Sequence, residues 1–228
     1  MQAASTGRLP AGELRTMFDR IAPVYDVMNR AITAGLDGRW RRLTARAAVA
    51  PGDRVLDACC GTGDLALAAA AEGGQVTGLD FSAPMLDRAR RKSAEIEWVQ
   101  GDLLALPFED ASFDTVTVGF GVRHADDLDA ALRELRRVLR PGGRLAVLDI
   151  VRPRGLLSLF YGLWFDRLIP LAGRLVPGGV AYTYLPASVR RFPGPKELEA
   201  RMREAGFGAV AHRLLAGSIV VLIVGEAA

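Results

Sequence analysis

Three carboxylates and an arginine–histidine pair stand where apolar, β-prone runs of this chain give out. Asp57 leads into "CCGTGDLA", which places Gly61 and Gly63 in a strand-to-helix turn. Residues without a Cβ let backbone amides approach a ligand at a helix N-terminus. Asp80 closes a second apolar run about 20 residues on, the position from which a carboxylate accepts ribose hydroxyls. Asp102 closes a third, in "QGDLLALPF", and is suited to an adenine exocyclic amine. Each acid has a plainer reading as a helix cap, and Ser82 with Pro84 reads as a good helix start. Three of them at three successive strand ends favour a nucleoside site. A dinucleotide fingerprint would read G-x-G-x-x-G; the third residue after Gly63 is Ala66, so pyrophosphate binding is poorly supported. The fourth run, "VTVGFGVRHADD", ends on Arg123 and His124, a fixed cation beside a titratable base.

Elements must bring these residues to one place. From residue 54, short β-branched runs alternate with amphipathic stretches, the pattern of a parallel sheet with crossover helices. "RVLDACC", "QVTGLD", "EIEWVQ", "FDTVTVGF" and "RLAVLDI" read as strands. "DLDAALRELRRVLR" reads as a helix with Leu128, Ala131, Leu132, Leu135 and Val138 on one face, ended by "PGG" and capped by Asp126 or Asp127. "GAVAHRLLAGSIVVLIVG" reads as an antiparallel hairpin at a sheet edge. Residues before 50 read as helical and lie outside the alternation. In such sheets the ligand lies beyond the carboxyl ends of the strands, where all the residues named above fall.

Composition narrows the classes. A chain of 228 residues buries roughly 70–75% of its unfolded surface as one unit, which calls for no structural metal or disulfide. Of 29 cationic side chains only Lys92 and Lys196 are lysines, and the net charge is +3. There is no dense basic block, so nucleic acid is not implied. Cys59 and Cys60 are neighbours, too close in sequence for the usual disulfide geometry, and read as reduced thiols of a cytosolic protein. The N-terminal residues lack the apolar core of a signal peptide. The segment 155–179 comes nearest to a membrane span but is interrupted by Asp166, Arg167, Pro170 and Arg174.

"VLDACCGTGDLA", "GLDFSAPML", "QGDLLALPFEDASFDTV" and "LRRVLRPGGRLAVLD" together resemble the class I S-adenosylmethionine-dependent methyltransferases. "MFDRIAPVYDVMNRAITAGLDGRWRR", "FGVRHADDLDAALRELRRVL" and "YTYLPASVRRFPGPKELEARMREAGF" are similar to the ubiquinone and menaquinone C-methyltransferase family, over residues 17 to about 217. That resemblance implies an α/β, Rossmann-like fold with a mostly parallel seven-stranded sheet, an antiparallel C-terminal hairpin and an N-terminal helical extension. Residues 1–50 would cover the active site. Residues 51–228 would bind S-adenosyl-L-methionine, with 155–185 as a substrate-side cap. Carried over position by position, the cofactor-binding residues are Asp57, Gly61, Thr62, Gly63, Asp80, Asp102, Leu103 and Gly119. Thr62 is assigned to the methionine end, Asp80 to the ribose and Asp102 with Leu103 to the adenine edge. Gly119 stands where the family often has serine, so only a backbone contact remains there.

The implied activity is methyl transfer to a ring carbon of a prenylated quinol, with demethylmenaquinol the leading acceptor. Naphthoquinol or benzoquinol remains open, as does a homodimer. The implied location is cytoplasmic, with peripheral membrane contact through residues 155–179, where Phe160, Trp164, Phe165 and Leu168 would meet the prenyl tail and Arg152, Arg154, Arg167 and Arg174 anionic headgroups. Catalytic roles fall on Tyr25, Arg123 and His124. Arg123 would stabilise the developing phenolate or order a water that takes the proton. His124, asparagine in the family, is either the base or an exposed loop residue. Asp149 also departs from the family, which has glutamate there. Other readings are a methyltransferase acting on a different small molecule, a non-catalytic interaction protein retaining the fold, and a hydrolase using Cys60 with His124.

Overall fold

The computed structural model describes residues 9–153, 161–162 and 180–228. At its centre, β1 (Arg54–Ala58) pairs in parallel with β2 (Gln75–Asp80) on one side and β4 (Phe113–Gly119) on the other. β2 extends the sheet to β3 (Glu97–Gln100), and β4 extends it to β5 (Leu139–Ile150). β7 (Val220–Ala227) then runs antiparallel to β5, with β6 (Phe207–Leu215) outermost, giving the order β3-β2-β1-β4-β5-β7-β6. Val55, Leu56, Ala58, Val116, Val118 and Leu145 are fully buried. Strands covered on both faces need apolar residues at successive positions rather than alternate ones. The order reverses between β1 and β4, so the carboxyl ends of these two strands open a crevice between them.

Helices α4 (Asp64–Ala71), α5 (Ala83–Lys92) and α6 (Leu128–Val138) connect the parallel strands. α6 starts at Asp127, whose carboxylate accepts from Ala130 N at 2.9 Å. It buries Ala131, Leu132, Leu135 and Val138 completely in the main core. Each of the larger side chains contributes about 1.5–3 kcal/mol. Before the sheet come α1 (Ala11–Ile21), α2 (Tyr25–Thr33) and α3 (Leu36–Ala48); between β5 and β6 come α7 (Val180–Arg191) and α8 (Pro195–Glu204). The N-terminal helices pack onto the body: Leu14, Met17 and Ile21 of α1 against Met85 of α5, and Trp40 and Ala48 of α3 against Ala146, Leu148 and Leu222.

Several boundaries differ from the sequence reading, two of them at a residue of positive φ. β1 ends at Ala58 rather than at Cys60, because Cys59 has φ +56° and leaves the extended region. The segment Pro141-Gly142-Gly143 lies inside β5 as an irregularity: pairing jumps from Phe113↔Leu139 to Thr115↔Arg144, and α6 stops at Val138 instead of Arg140. Gly142 carries φ +75° there. Most of the cap and tail-contact segment, 155–179, lies outside the described residues. No helix among the described residues is long and apolar enough to cross a membrane.

Candidate active site

The turn after β1 is built by its two glycines. Gly61 has φ +56° and Gly63 φ +86°, and a Cβ on Gly63 would stand 2.5 Å from the Trp98 ring. Asp80, at the end of β2, secures this turn: one carboxylate oxygen accepts from Gly61 N at 2.8 Å and the other from Ser82 N at 2.9 Å. Burial raises the Asp80 carboxyl to about 6, with a further push from Asp19, against the pull of the Ser82 and Gly61 amides. Thr62 points elsewhere. Its hydroxyl donates to Asp26 at 2.5 Å and accepts from Lys92 at 3.0 Å, and Lys92 also pairs with Asp26 and Asp64 at 2.9 and 2.6 Å. Burial would raise the Asp26 carboxyl, but the bonds from Thr62 and Lys92 outweigh it and hold it low. The network ties α2 to the glycine turn.

A cavity of about 120 Å³ opens over that turn, lined by Cys59, Gly61, Asp80, Asp102, Leu103 and Gly119 among others. Asp102 is exposed and its carboxylate accepts from Leu104 N at 2.9 Å, while Leu103 is buried. The loop is fixed from α6, where Glu134 accepts from Leu106 N at 3.0 Å and Arg137 donates to Leu106 and Phe108 carbonyls. Neither Thr62 nor Asp57 lines this cavity. Asp57 is fully buried inside β1, accepts from the Thr117 hydroxyl at 2.9 Å, and is raised by burial to about 7.

A second cavity of about 460 Å³ adjoins the first. Phe18, Tyr25, Phe120 and His124 line both, so they form the wall between them. His124 packs edge-on to Phe18, stacks on Tyr184 at 5.5 Å and shares a 3.2 Å hydrogen bond between Nδ1 and the Tyr184 hydroxyl. Burial, then the charges of Arg123 and Arg191, hold its imidazole well below the ordinary 6.5 and therefore neutral. Arg123 lines the larger cavity only. Its Nη1 donates to Phe120 O and to Asp149, each at 2.6 Å. Its Nε is buried without a hydrogen-bond partner among the described residues. Asp149 is fully buried, and burial raises its carboxyl against the opposing field of Arg123.

Sequence reasoning thus brought Tyr25, Gly61, Asp80, Asp102, Leu103, Gly119, Arg123 and His124 to the two cavities, and it missed several of their neighbours. Phe18 stands second in "MFDRIAPVYD", the stretch that carries Tyr25, with no signal beyond an apolar helix face. Tyr184 and Arg191 belong to "YTYLPASVRR", quoted for its likeness but given no role. Arg191 lies over the Tyr184 ring at 5.7 Å. Asp37 and Arg41 form a buried ion pair in the larger cavity.

Comparison with known proteins decides the family. The model of the ubiE/COQ5 methyltransferase family matches residues 8–226. The chain belongs to that family. A demethylmenaquinone methyltransferase of Thermus thermophilus is 46% identical over 220 residues, 92% of this chain and 99% of its own length. A 2-phytyl-1,4-naphtoquinone methyltransferase of Synechococcus elongatus is 41% identical over 222 residues, covering 92% and 95%. Among solved structures, the [4+2]-cyclase SpnF aligns with a TM-score of 0.71 at 18% identity over 96% of this chain and 97% of that one. A Thermotoga maritima SAM-dependent methyltransferase, described as a possible histamine N-methyltransferase, aligns at 0.64 and 23% over 91% and 98%. These two report the fold, whose sites host different chemistries.

As a ubiE/COQ5 family member the chain is an S-adenosyl-L-methionine-dependent methyltransferase, and the smaller cavity suits that cofactor. Gly61 presents no Cβ to it, Asp80 offers carboxylate lone pairs to a diol, and Leu79, Met85 and Leu103 supply an apolar bed. The cysteines do not serve as nucleophiles here. Burial, followed by the nearby Asp80 and Asp57 carboxylates, pushes both thiols well above their ordinary value, which keeps them protonated and inert.

Proposed function

We propose that the protein methylates a ring carbon of a prenylated 1,4-naphthoquinol, demethylmenaquinol, in respiratory quinone synthesis. One observation carries this reading: the wall of Phe18, Tyr25, Phe120 and His124 lies between the crevice over the glycine turn and a larger, mostly apolar cavity that also holds Arg123. Relatives named for demethylmenaquinone and phytyl-naphthoquinone substitution support the naphthoquinol over the benzoquinol.

The bound cofactor supplies an electrophilic methyl group. The chain must make the ring carbon electron-rich and hold it in line, with reacting atoms about 3–3.5 Å apart. Arg123 stays charged at any ordinary pH. Pinned through Nη1 by Asp149 and Phe120 O, it presents a preorganised positive charge to a phenolate oxygen in the cavity. His124 is neutral and so accepts the hydroxyl proton at rest. The same burial and neighbouring guanidiniums oppose a lasting imidazolium, so the proton is released to solvent when the product leaves. Phe18, Tyr25 and Phe120 exclude bulk water and hold the ring flat. The N-terminal helices act as the lid over both cavities, fastened at Asp26 and Thr62. A prenylated acceptor requires access from a lipid surface, which makes transient membrane contact part of this proposal.

The test follows from electron demand. A quinone has no phenolic proton and an electron-poor ring, so labelled methyl should pass to the demethylated quinol under anaerobic reductant and not to the matching quinone. Equal rates on both acceptors would overturn the phenolate mechanism and the roles of Arg123 and His124.

A further inference from the structure

The larger cavity contains a second charged group for which the mechanism above has no use. Arg41 of α3 is 7% exposed, and its partner Asp37, one helical turn earlier, is 5% exposed. Thr33 at the end of α2 donates its hydroxyl to Asp37 at 3.0 Å, and all three residues line the cavity. Desolvating an ion pair is unfavourable unless its geometry and further hydrogen bonds compensate, and an apolar pair of similar volume would fill the same space without that penalty. The pair is also placed with reference to Arg123. The Arg41 guanidinium lies over the Phe120 ring, 5.4 Å from its centre, while the Phe120 carbonyl accepts from Arg123 Nη1 at 2.6 Å. Two guanidiniums therefore meet one residue, at its ring and at its backbone, and both line the same mostly apolar chamber.

A 1,4-quinol has two hydroxyls on opposite edges of its ring. The one adjacent to the methylated carbon is assigned above to Arg123 and His124. We infer that the Asp37–Arg41 pair receives the other hydroxyl, Arg41 donating to its oxygen and Asp37 accepting its proton in a hydrogen bond, and that this second anchor selects 1,4-dihydroxy rings over monophenols. The inference rests on the quinol reading and adds a specificity determinant to it. An acceptor lacking the distal oxygen leaves an already desolvated pair without its ligand, and sites built to hydrogen-bond a hydroxyl discriminate strongly against analogues without it. No proton is transferred at this anchor. It positions the ring so that the carbon beside Arg123 faces the cofactor crevice.

The experiment compares kcat/KM for two short-prenyl acceptors with the full-length protein under anaerobic reductant. One is the 1,4-dihydroxynaphthalene; the other keeps the hydroxyl adjacent to the acceptor carbon and lacks the distal one. The two rings differ in intrinsic reactivity, so the readout is the change in their ratio between wild type and variants. Arg41→Met should reduce the preference for the diol by about 10- to 100-fold, the range of one hydrogen bond to a charged group. The loss should be larger on the diol than on the monohydroxy acceptor, so that their ratio shifts. Asp37→Asn, which keeps the side-chain volume, should shift the ratio in the same direction by less, and carries the test if Arg41→Met does not fold as judged by cofactor calorimetry. An equal fall on both acceptors in the folded variants would reduce the pair to a structural role and overturn the inference. If wild type methylates neither ring, it is the quinol reading that fails, and this outcome is distinct from an unchanged ratio.

Discussion

Replacing Asp80 with alanine tests the cofactor crevice at its most heavily engaged carboxylate. The side chain is 4% exposed and spends one oxygen on Gly61 N and the other on Ser82 N. A ribose hydroxyl would therefore donate to a remaining lone pair of a preorganised, desolvated carboxylate. Loss of one such charge-assisted bond is worth about 1.5–3 kcal/mol, so the dissociation constant for the cofactor should rise about 10- to 150-fold at pH 7.5. Because burial has raised this carboxyl to about 6, the effect has a pH signature. The ionised form binds, so affinity is present above that value and is lost as pH falls through it. From pH 7 to pH 5 the ionised fraction drops from about nine-tenths to about one-tenth, and wild-type affinity should weaken about tenfold. The alanine variant should be flat over the same interval, so the two proteins converge in acid. Asp80→Asn is the companion variant, since it retains an acceptor for one of the two amides and separates loss of charge from loss of the turn. Isothermal titration calorimetry measures all three. A wild-type dissociation constant that does not change between pH 7 and pH 5, or an unchanged constant in a folded alanine variant, would refute the ribose assignment.

Arg123→Ala should lower turnover about 10²- to 10³-fold, the scale of one lost preorganised donor, while cofactor affinity measured by calorimetry stays within about twofold because the side chain does not line the crevice. Pairing it with Asp149→Asn removes the uncompensated buried carboxylate that the single change leaves behind; a variant that keeps full turnover would sink the phenolate role. For His124, the neutral imidazole is the active form and its proton affinity is depressed by burial, so the acid limb of kcat, measured with both substrates saturating, should lie well below pH 6.5. His124→Asn should abolish that limb, and an identical profile in the two proteins would remove His124 as the proton acceptor.

The sheet and the crevice were legible in the sequence because both are written in short-range patterns. Short, continuous β-branched runs and helical faces of period 3.6 give the alternation of strands and helices, and strand ends declare themselves through Gly61, Asp80, Asp102 and the "GVRH" turn. Once the order of elements is known, the carboxyl ends must share one edge, so these residues converge without knowledge of packing. Side-chain direction is a different matter. Thr62 sits in the glycine turn as expected, yet its hydroxyl reaches across 36 positions to Asp26 instead of into the crevice. Asp57 stands one strand-residue too deep and faces Thr117. His124 is held neutral by burial, to which the stacked Tyr184 ring 60 positions away contributes, and then by the charges of Arg123 and Arg191. The Asp37–Arg41 pair has the i,i+4 spacing of an ordinary solvated helix pair; it lines a cavity because α3 lies across β5 and β7 with that face inward. Local patterns determine which elements form and where their ends lie. Which face of a helix becomes a cavity wall depends on contacts between distant segments, and in this chain those contacts set both the protonation of His124 and the second charged group of the larger cavity.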